Sequence, residues 1–265
     1  MGETTAIAWT DSTFNPWVGC SKVSPGCTNC YAAAQSKRWG KDFSKRTRTS
    51  EANWKKPLAW NKAAQKEGVR RKVFCGSLCD VFDPTVPTCW RGDLFKLIED
   101  TPGLDWLLLT KRPEHFNDMA VTHGWPANVW LGVTVENQEQ AERRIPLLVA
   151  QSAAVRFLSL EPLLGPVDLS RWLDEDETGF VTDLHWLIIG GESGPKARPF
   201  NLSWARSLIL EARGARYEPA VFVKQLGAVP VQGTHGHLLL ADKGHGGDID
   251  EFPPDLRCRE FPVPR

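Results

Sequence analysis

The sequence predicts an α/β protein built as a partial or complete βα barrel of about six to seven parallel strands. Short apolar runs alternate along the chain with helical patterns, separated by polar or glycine turns, which is typical of βαβ units. Several of the apolar runs are continuous, as expected for strands that are covered on both faces. The length of 265 residues also matches the roughly 250 residues of a typical βα barrel.

Seven apolar runs are the predicted strands. They occupy residues 14–18, 73–78, 105–110, 129–135, 155–160, 185–190 and 220–225. Helical patterns occupy residues 31–39, 52–65, 88–99, 113–121, 138–149 and 202–211. Pro113 and Pro146 indicate helix ends, because proline fits the first turn of a helix and disrupts its interior.

The predicted barrel spans residues 1–227. Residues 228–265 are rich in glycine, proline and histidine and are predicted to form a C-terminal extension that packs on the barrel. Residues 174–183 predict an acidic loop.

Composition and charge exclude several classes of protein. The 32 basic and 32 acidic residues give a net charge of zero, which argues against a broadly basic nucleic-acid-binding surface, although residues 37–48 form a local basic run. No stretch approaches the roughly 20 apolar residues of a membrane helix, and no signal peptide is visible. We therefore expect a cytoplasmic protein without a membrane partner. Its seven cysteines are then expected to stay reduced, so a clustered set indicates metal binding or catalysis.

Cys20, Cys27 and Cys30 are the candidate metal ligands. Their spacing is C-x6-C-x2-C, in a loop with a Pro-Gly turn between the first predicted strand and the first predicted helix. Three interpretations are open at this point. The thiolates hold a 4Fe–4S cluster with one iron left open, or they hold a structural zinc ion, which needs a fourth ligand such as Cys75, Cys79 or a histidine. In the third interpretation they are buried thiols without a chemical role.

The blocks around these residues resemble a known family. They read TFNPWVGCSKVSPGCTNCYA, FCGSLCDVFD, LLLTKRPE, WLGVTVEN, FLSLEPLLGP, WLIIGGESG and FVKQLG. They are similar to a three-Cys-motif family associated with phages and mobile elements, the phage Gp-type proteins, whose domain is of unknown function. A three-cysteine loop after the first strand of a βα barrel also resembles the radical S-adenosylmethionine superfamily. The likeness covers residues 5 to about 227, with two departures from the commonest radical pattern: a first gap of six residues instead of three, and Asn29 where an aromatic residue is usual.

The resemblance implies a radical enzyme with a 4Fe–4S cluster and S-adenosylmethionine as its cofactors. Reduction by a partner protein would cleave S-adenosylmethionine to methionine and a 5′-deoxyadenosyl radical, which would abstract a hydrogen atom from the substrate. The mobile-element association suggests a nucleotide or nucleic acid as that substrate. The alternative function is a non-enzymatic zinc or iron–sulfur module that binds a partner protein or a nucleic acid. A third alternative is a barrel that keeps the cluster and has lost the reaction.

Polar residues follow the predicted strands, where βα barrels carry their functional groups. The predicted cofactor-binding residues are Ser77, Asp80, Thr134, Glu136, Ser159, Glu161, Gly190, Gly191 and Glu192, and the predicted substrate-binding residues are Lys111, Arg112, Lys224 and Gln225. The carboxylates are expected to converge on one barrel mouth and to have cationic partners, because unpaired buried charges are costly. Some of them could instead form a structural network with each other. Cys79 is a candidate hydrogen-donor thiol, extra cluster ligand or buried free thiol, and no other catalytic residue is assigned.

Overall fold

Among the residues that the structure describes, the main sheet contains seven strands, which lie side by side in their chain order. The computed structural model describes residues 5–119, 124–173, 183–233, 236–242 and 244–263. Within these residues the strands are β1 (Ser12–Phe14), β2 (Arg71–Cys75), β3 (Leu104–Thr110), β4 (Val129–Thr134), β5 (Val155–Leu160), β6 (Trp186–Gly190) and β7 (Ala220–Gln225). A sheet in which each strand lies next to its successor is the topology of a partial βα barrel, so the predicted fold class is confirmed.

The chain divides into two compact units. The first comprises Met1–Gly132 and Ser152–Ala154, and the second comprises Val133–Gln151 and Val155–Arg265. In the first unit β1 pairs in parallel with β2, and β2 with β3. In the second unit β5 pairs in parallel with β6, and β6 with β7.

Strand interiors are apolar on both faces. In β3, Trp106, Leu107 and Leu108 are successive residues and all are buried, and in β6 the same holds for Ile188 and Ile189. Each such side chain contributes about 1.5–3 kcal/mol by leaving water. Continuous burial explains why these runs lack the alternation of a half-exposed strand.

Helices connect the strands. They are α1 (Tyr31–Arg38), α2 (Glu51–Trp54), α3 (Lys56–Glu67), α4 (Thr88–Glu99), α5 (Phe116–Met119), α6 (Gln138–Val149), α7 (Ser170–Leu173) and α8 (Leu202–Gly214), with 3-10 turns at Pro25–Cys27, Pro113–His115, Ile249–Glu251 and Pro254–Leu256. The helix predicted at residues 52–65 is divided into α2 and α3, because Pro57 fits the first turn of a helix and starts a new one. Pro146 lies inside α6 rather than at its end.

Two predictions fall partly beyond the described residues. The helix predicted at residues 113–121 begins as the 3-10 turn and continues as α5, and its last two residues lie outside the described part of the chain. All but one residue of the acidic loop predicted at 174–183 also lies outside it.

The first predicted strand, residues 14–18, consists of two separate strands. β1 ends at Phe14, and Trp17–Val18 forms an antiparallel ribbon with Thr47–Arg48. Pro16 lies between them, and proline has no N–H to donate to a sheet ladder. The cysteine loop therefore begins from this small ribbon and not from the main sheet.

The C-terminal segment packs within the second unit. Pro230–Gln232 pairs with Phe200–Asn201 and with Gly236–His237. Further on, the backbone N–H of Val223 in β7 donates to the Cys258 carbonyl over 2.8 Å. No helix in the described ranges has the length and apolar content that a membrane crossing requires.

Candidate functional site

The cysteine loop, residues 19–30, lies in the first unit between the ribbon and α1. Cys27 ends the 3-10 turn, and its N–H donates to the Ser24 carbonyl over 2.9 Å. Cys30 directly precedes α1, and its carbonyl accepts from the Ala34 N–H over 3.2 Å. Cys20, Cys27 and Cys30 are all half-buried and free of disulfides, so their thiols are available for metal binding.

Gly19 fixes the start of the loop. Its φ of +120° is a backbone angle that residues with a side chain rarely adopt. A Cβ at this position would also lie 2.2 Å from the Lys45 carbonyl oxygen. The Gly19 N–H donates to the Leu78 carbonyl over 3.0 Å, and the Cys20 N–H donates to the Phe43 carbonyl over 2.9 Å. Cys20 is therefore held between the segment that follows α1 and the loop that follows β2.

Arg112 places a buried positive charge beside Cys20. The residue is 4% exposed, and its guanidinium donates to the Cys20 Sγ over 3.4 Å, to the Asp80 carboxylate over 2.9 Å and to the Ser21 carbonyl over 2.9 Å. Burial alone would lower the pKa of Arg112, but Asp80 and Cys20 raise it above its ordinary value. Burial and the Asp80 charge raise the pKa of the Cys20 thiol, whereas Arg112 favours the thiolate, the form that binds metals.

Two buried carboxylates complete the charge network around Arg112. Asp80 accepts a hydrogen bond from the Thr110 hydroxyl over 2.7 Å. Asp83 is 0% exposed, accepts from Arg46 Nε over 2.8 Å and lies 4.0 Å from the Arg112 guanidinium. Positive and negative groups thus alternate from Arg46 to Asp80, which leaves each buried charge with a partner. The structure brings the predicted cofactor residue Asp80 and the predicted substrate residue Arg112 together as an ion pair at the cysteine loop.

We expect acid to weaken the fold through Asp83. Burial alone would raise the pKa of this carboxyl, but the N–H and hydroxyl of Thr85 and the Arg46 guanidinium hold it below its ordinary value. The unfolded chain then binds the proton more tightly than the folded one. The carboxylate therefore stabilises the fold above about pH 4, and this contribution is lost as the pH falls through the lower, folded pKa.

Urea denaturation between neutral pH and about pH 3 measures this effect as the free energy of unfolding. Asp83→Asn should flatten the acid limb of the profile. Asp93→Asn is the matched control, because Asp93 is the exposed partner of Arg48 in the same unit, and it should leave the limb as in the wild type. An unchanged acid limb in Asp83→Asn would contradict the assignment.

Asn15 orders the loop after β2, and the sequence interpretation did not single it out. The residue is buried. Its amide donates to the Ser77 hydroxyl over 3.0 Å, and its Oδ1 accepts from the Leu78 N–H over 2.7 Å. The Asn-Pro dipeptide that ends β1 was the available signal, since this pair marks turns.

The remaining predicted residues of the first unit have a less direct place in the network. The Lys111 backbone N–H donates to the Asp80 carboxylate over 3.3 Å. Burial raises the pKa of the Cys75 thiol. Burial also raises the pKa of the Cys79 thiol, and the neighbouring Cys75, Asp80 and Cys20 raise it further. Burial and these neighbours therefore favour the neutral S–H of Cys79 over its thiolate.

Glu136 is buried in the second unit with a partner that the sequence interpretation missed. The carboxylate is 0% exposed and accepts from Nη1 of Arg144 in α6 over 2.8 Å. The same nitrogen donates to the Thr134 carbonyl over 2.7 Å. Arg144 follows Ala141 on the buried face of α6. A charged residue at helical spacing within an apolar stripe was the signal for it.

Four further predicted residues form one cluster, the Gly190 cluster: Glu161, Gly190, Lys224 and Gln225. The Lys224 ammonium lies 2.5 Å from a carboxylate oxygen of Glu161. A Cβ on Gly190 would lie 3.3 Å from the Cγ atoms of both Glu161 and Gln225. The Gln225 amide also donates to the Gly191 carbonyl over 2.8 Å.

Glu192 has its own basic partner. Arg198 donates to its carboxylate from the backbone N–H and Nε over 2.9 Å each, and from NH2 over 2.6 Å. Gly191, just before it, has no room for a side chain, because a Cβ would lie 2.5 Å from the Leu226 carbonyl. Ser159, in β5, is buried, and its carbonyl accepts from the Val135 N–H over 2.9 Å.

The donor set of the cysteine loop suits an iron–sulfur cluster. Among the described residues, no three His, Cys, Asp or Glu side chains form a group that could hold one metal ion. A 4Fe–4S cluster has a different requirement, because each thiolate binds its own iron. The short cysteine loop meets that requirement chemically, because it has three reduced thiols and the Arg112 guanidinium donates a hydrogen bond to the Cys20 sulfur.

A family model described as protein of unknown function (DUF5131) matches residues 4–251. No curated protein and no solved structure matches the chain. Because the family match covers nearly the whole sequence, the chain belongs to the DUF5131 family of proteins of unknown function.

Proposed function

We propose that this protein is a radical S-adenosylmethionine enzyme whose 4Fe–4S cluster is held by Cys20, Cys27 and Cys30. The observation that carries the proposal is the cysteine loop itself. Its three thiols lie within residues 20–30, form no disulfide and are half-buried. The buried guanidinium of Arg112 donates a hydrogen bond to the sulfur of Cys20.

The cofactors supply the chemistry when bound. With one electron from a low-potential reductant protein, the cluster and S-adenosylmethionine would supply reductive cleavage of a carbon–sulfur bond and, through it, hydrogen abstraction from the substrate. The protein binds, orients and shields these groups. Cys20, Cys27 and Cys30 act as thiolate ligands, Arg112 offsets negative charge at Cys20, and Asp80 holds Arg112 in place.

Residues of the second unit are assigned to the organic ligands. Glu161 is half-buried, and among the residues that the structure describes its carboxylate pairs with the Lys224 ammonium alone, so a ligand ammonium or hydroxyl can compete for it. Lys224 and Gln225 then remain to bind the substrate. Thr134, Ser159 and the backbone at Gly190 and Gly191 are assigned to the cofactor, in keeping with their place at strand ends.

Cys79 is the candidate hydrogen donor. Burial raises the pKa of its thiol, so the S–H bond persists at neutral pH. A neutral thiol would give its hydrogen atom to the substrate radical and become a thiyl radical, which one electron from the reductant protein and a proton would restore.

The proposal is tested by anaerobic purification with iron and sulfide analysis, then reduction with dithionite in the presence of S-adenosylmethionine and assay for 5′-deoxyadenosine. We expect about four irons per chain and release of 5′-deoxyadenosine. Cys27→Ala should lose both. Cys89→Ala is the matched control, since Cys89 is an exposed cysteine of α4, and it should keep both.

A structural zinc module is the second candidate function. Its fourth ligand, which tetrahedral zinc needs, would be Cys79, whose backbone forms a bridge with Gly19 next to Cys20; the four thiols would have to move together, because the described residues hold no such group. One zinc per chain without iron, after anaerobic reconstitution, would overturn the radical proposal. Iron without 5′-deoxyadenosine would instead indicate a barrel that keeps the cluster without the reaction.

A further inference from the structure

Trp39 is an exception among the tryptophans. All twelve lie in the described part of the chain, and eleven of them are buried or half-buried, whereas Trp39 is 50% exposed. Trp39 is the C-cap of α1, and Tyr31, its first residue, is 56% exposed, with a hydroxyl that donates to the Ser77 carbonyl over 2.7 Å. Exposing aromatic rings of this size to water is unfavourable. Two of them at the two ends of α1 indicate a surface with a binding role.

The basic run around Trp39 has an inner and an outer part. Arg46 is paired with the buried Asp83, and Arg48 lies 4.0 Å over the Trp54 ring and pairs with Asp93. These two arginines therefore serve the fold.

The outer part is Lys37, Arg38 and Lys41, all of which are exposed. Among the described residues none of the three has a carboxylate within ion-pair distance. Together with Tyr31 and Trp39 they form a surface that we name the α1 face. The protein as a whole has zero net charge, so the positive charge of the α1 face is a feature of this surface and not of the whole protein.

The α1 face borders the cysteine loop. Helix α1 begins directly after Cys30. The segment that follows α1 returns to the other end of the loop, where the Phe43 carbonyl accepts from the Cys20 N–H over 2.9 Å. The α1 face is therefore adjacent to the cysteine loop.

We propose that the α1 face binds single-stranded nucleic acid. Lys37, Arg38 and Lys41 supply positive charge for the phosphates, and the Trp39 ring offers a platform on which a base stacks. Basic groups combined with exposed aromatic rings are the features by which proteins bind single strands, because every unpaired base has a π face. In a duplex the π faces of the bases are stacked on each other, and an acidic peptide has no bases. The exposed aromatic rings therefore favour single-stranded nucleic acid over duplex nucleic acid and over an acidic peptide.

Fluorescence anisotropy of the purified full chain with labelled oligothymidine and oligouridine of about 15 nucleotides tests the proposal. The two probes distinguish DNA from RNA. Trp39→Ala should weaken binding about 5- to 100-fold, the effect of one stacked base. Affinity for nucleic acid falls as salt rises. Replacing Lys37, Arg38 and Lys41 together by alanine should make the negative slope of log affinity against log salt concentration shallower by about 2.

Two matched variants control for lost charge and for lost aromatic surface. Lys55, Lys62 and Lys66 are exposed in the same unit, and their joint replacement by alanine should leave binding unchanged. Tyr217→Ala removes an exposed ring of the second unit and should also have no effect. Because the replaced side chains are exposed, all variants are expected to keep the wild-type melting temperature.

Binding that is equal in the wild type and the α1-face variants would overturn the proposal, as would the absence of binding to either oligonucleotide. Equal affinity for poly-glutamate would assign the face to an acidic protein partner instead. Duplex DNA that binds as tightly as the single strands, with no effect of Trp39→Ala, would refute base stacking. Binding is measured without S-adenosylmethionine, so its failure is distinct from a failure of the proposed radical chemistry.

Discussion

Arg112→Met is expected to destabilise the protein by about 3–5 kcal/mol, because removing one partner of a buried ion pair leaves the other charge uncompensated. The methionine fills much of the same volume, so the loss is electrostatic rather than a cavity effect. It leaves Asp80 without its guanidinium and removes a positive charge 4.0 Å from the fully buried Asp83. For a protein of this size the melting temperature should fall by about 6–20 °C.

Arg112→Lys separates charge from geometry. A lysine keeps the positive charge but has no planar fork, whereas Arg112 contacts Asp80, Cys20 and Ser21 at once. We expect this variant to recover part of the stability and to hold less iron than the wild type. Lys96→Met is the control, since it breaks an exposed ion pair with Asp100 that should be worth about 0–1 kcal/mol. Equal effects of Arg112→Met and Lys96→Met would refute a special role for the buried network.

The sequence was sufficient for the fold class because the hydrophobic pattern is local. Continuous apolar runs such as residues 105–110 and 155–160 match β3 and β5 to within one residue. The errors lie where a single proline overrides the pattern. Pro16 divides the first predicted strand and Pro57 divides the second predicted helix, since each removes one backbone donor.

The sequence was less informative about the candidate sites because ion pairing depends on contacts distant in the chain. Asp80 and Arg112 are both strand-end residues, and their proximity follows from the pairing of β2 with β3. Arg46 belongs to a run that looks uniformly solvated, yet it is separated by 37 residues from its partner Asp83. Nothing in the local pattern distinguishes it from the exposed Lys41.

The second large effect concerns the carboxylates of the second unit, which the sequence treated as equivalent. Arg144→Met should destabilise the protein by about 3–5 kcal/mol, because Arg144 is 1% exposed and its partner Glu136 is 0% exposed. Urea denaturation measures this loss. S-adenosylmethionine affinity, corrected for the folded fraction, should change little, because the Glu136 carboxylate of the wild type is buried against Arg144 and does not bind the cofactor.

Glu161→Gln should show the opposite behaviour. Glu161 and Lys224 are both partly exposed, so their pair contributes less to stability, and the glutamine conserves the shape of the side chain. The melting temperature should change by only a few degrees, while S-adenosylmethionine should bind about 10- to 100-fold more weakly, the range for one hydrogen bond to a charged group. Equilibrium dialysis on the reconstituted protein measures this affinity. Unchanged affinity in Glu161→Gln would show that Glu161 and Lys224 form a structural ion pair, as Glu136 and Arg144 do. Other groups would then have to bind the cofactor.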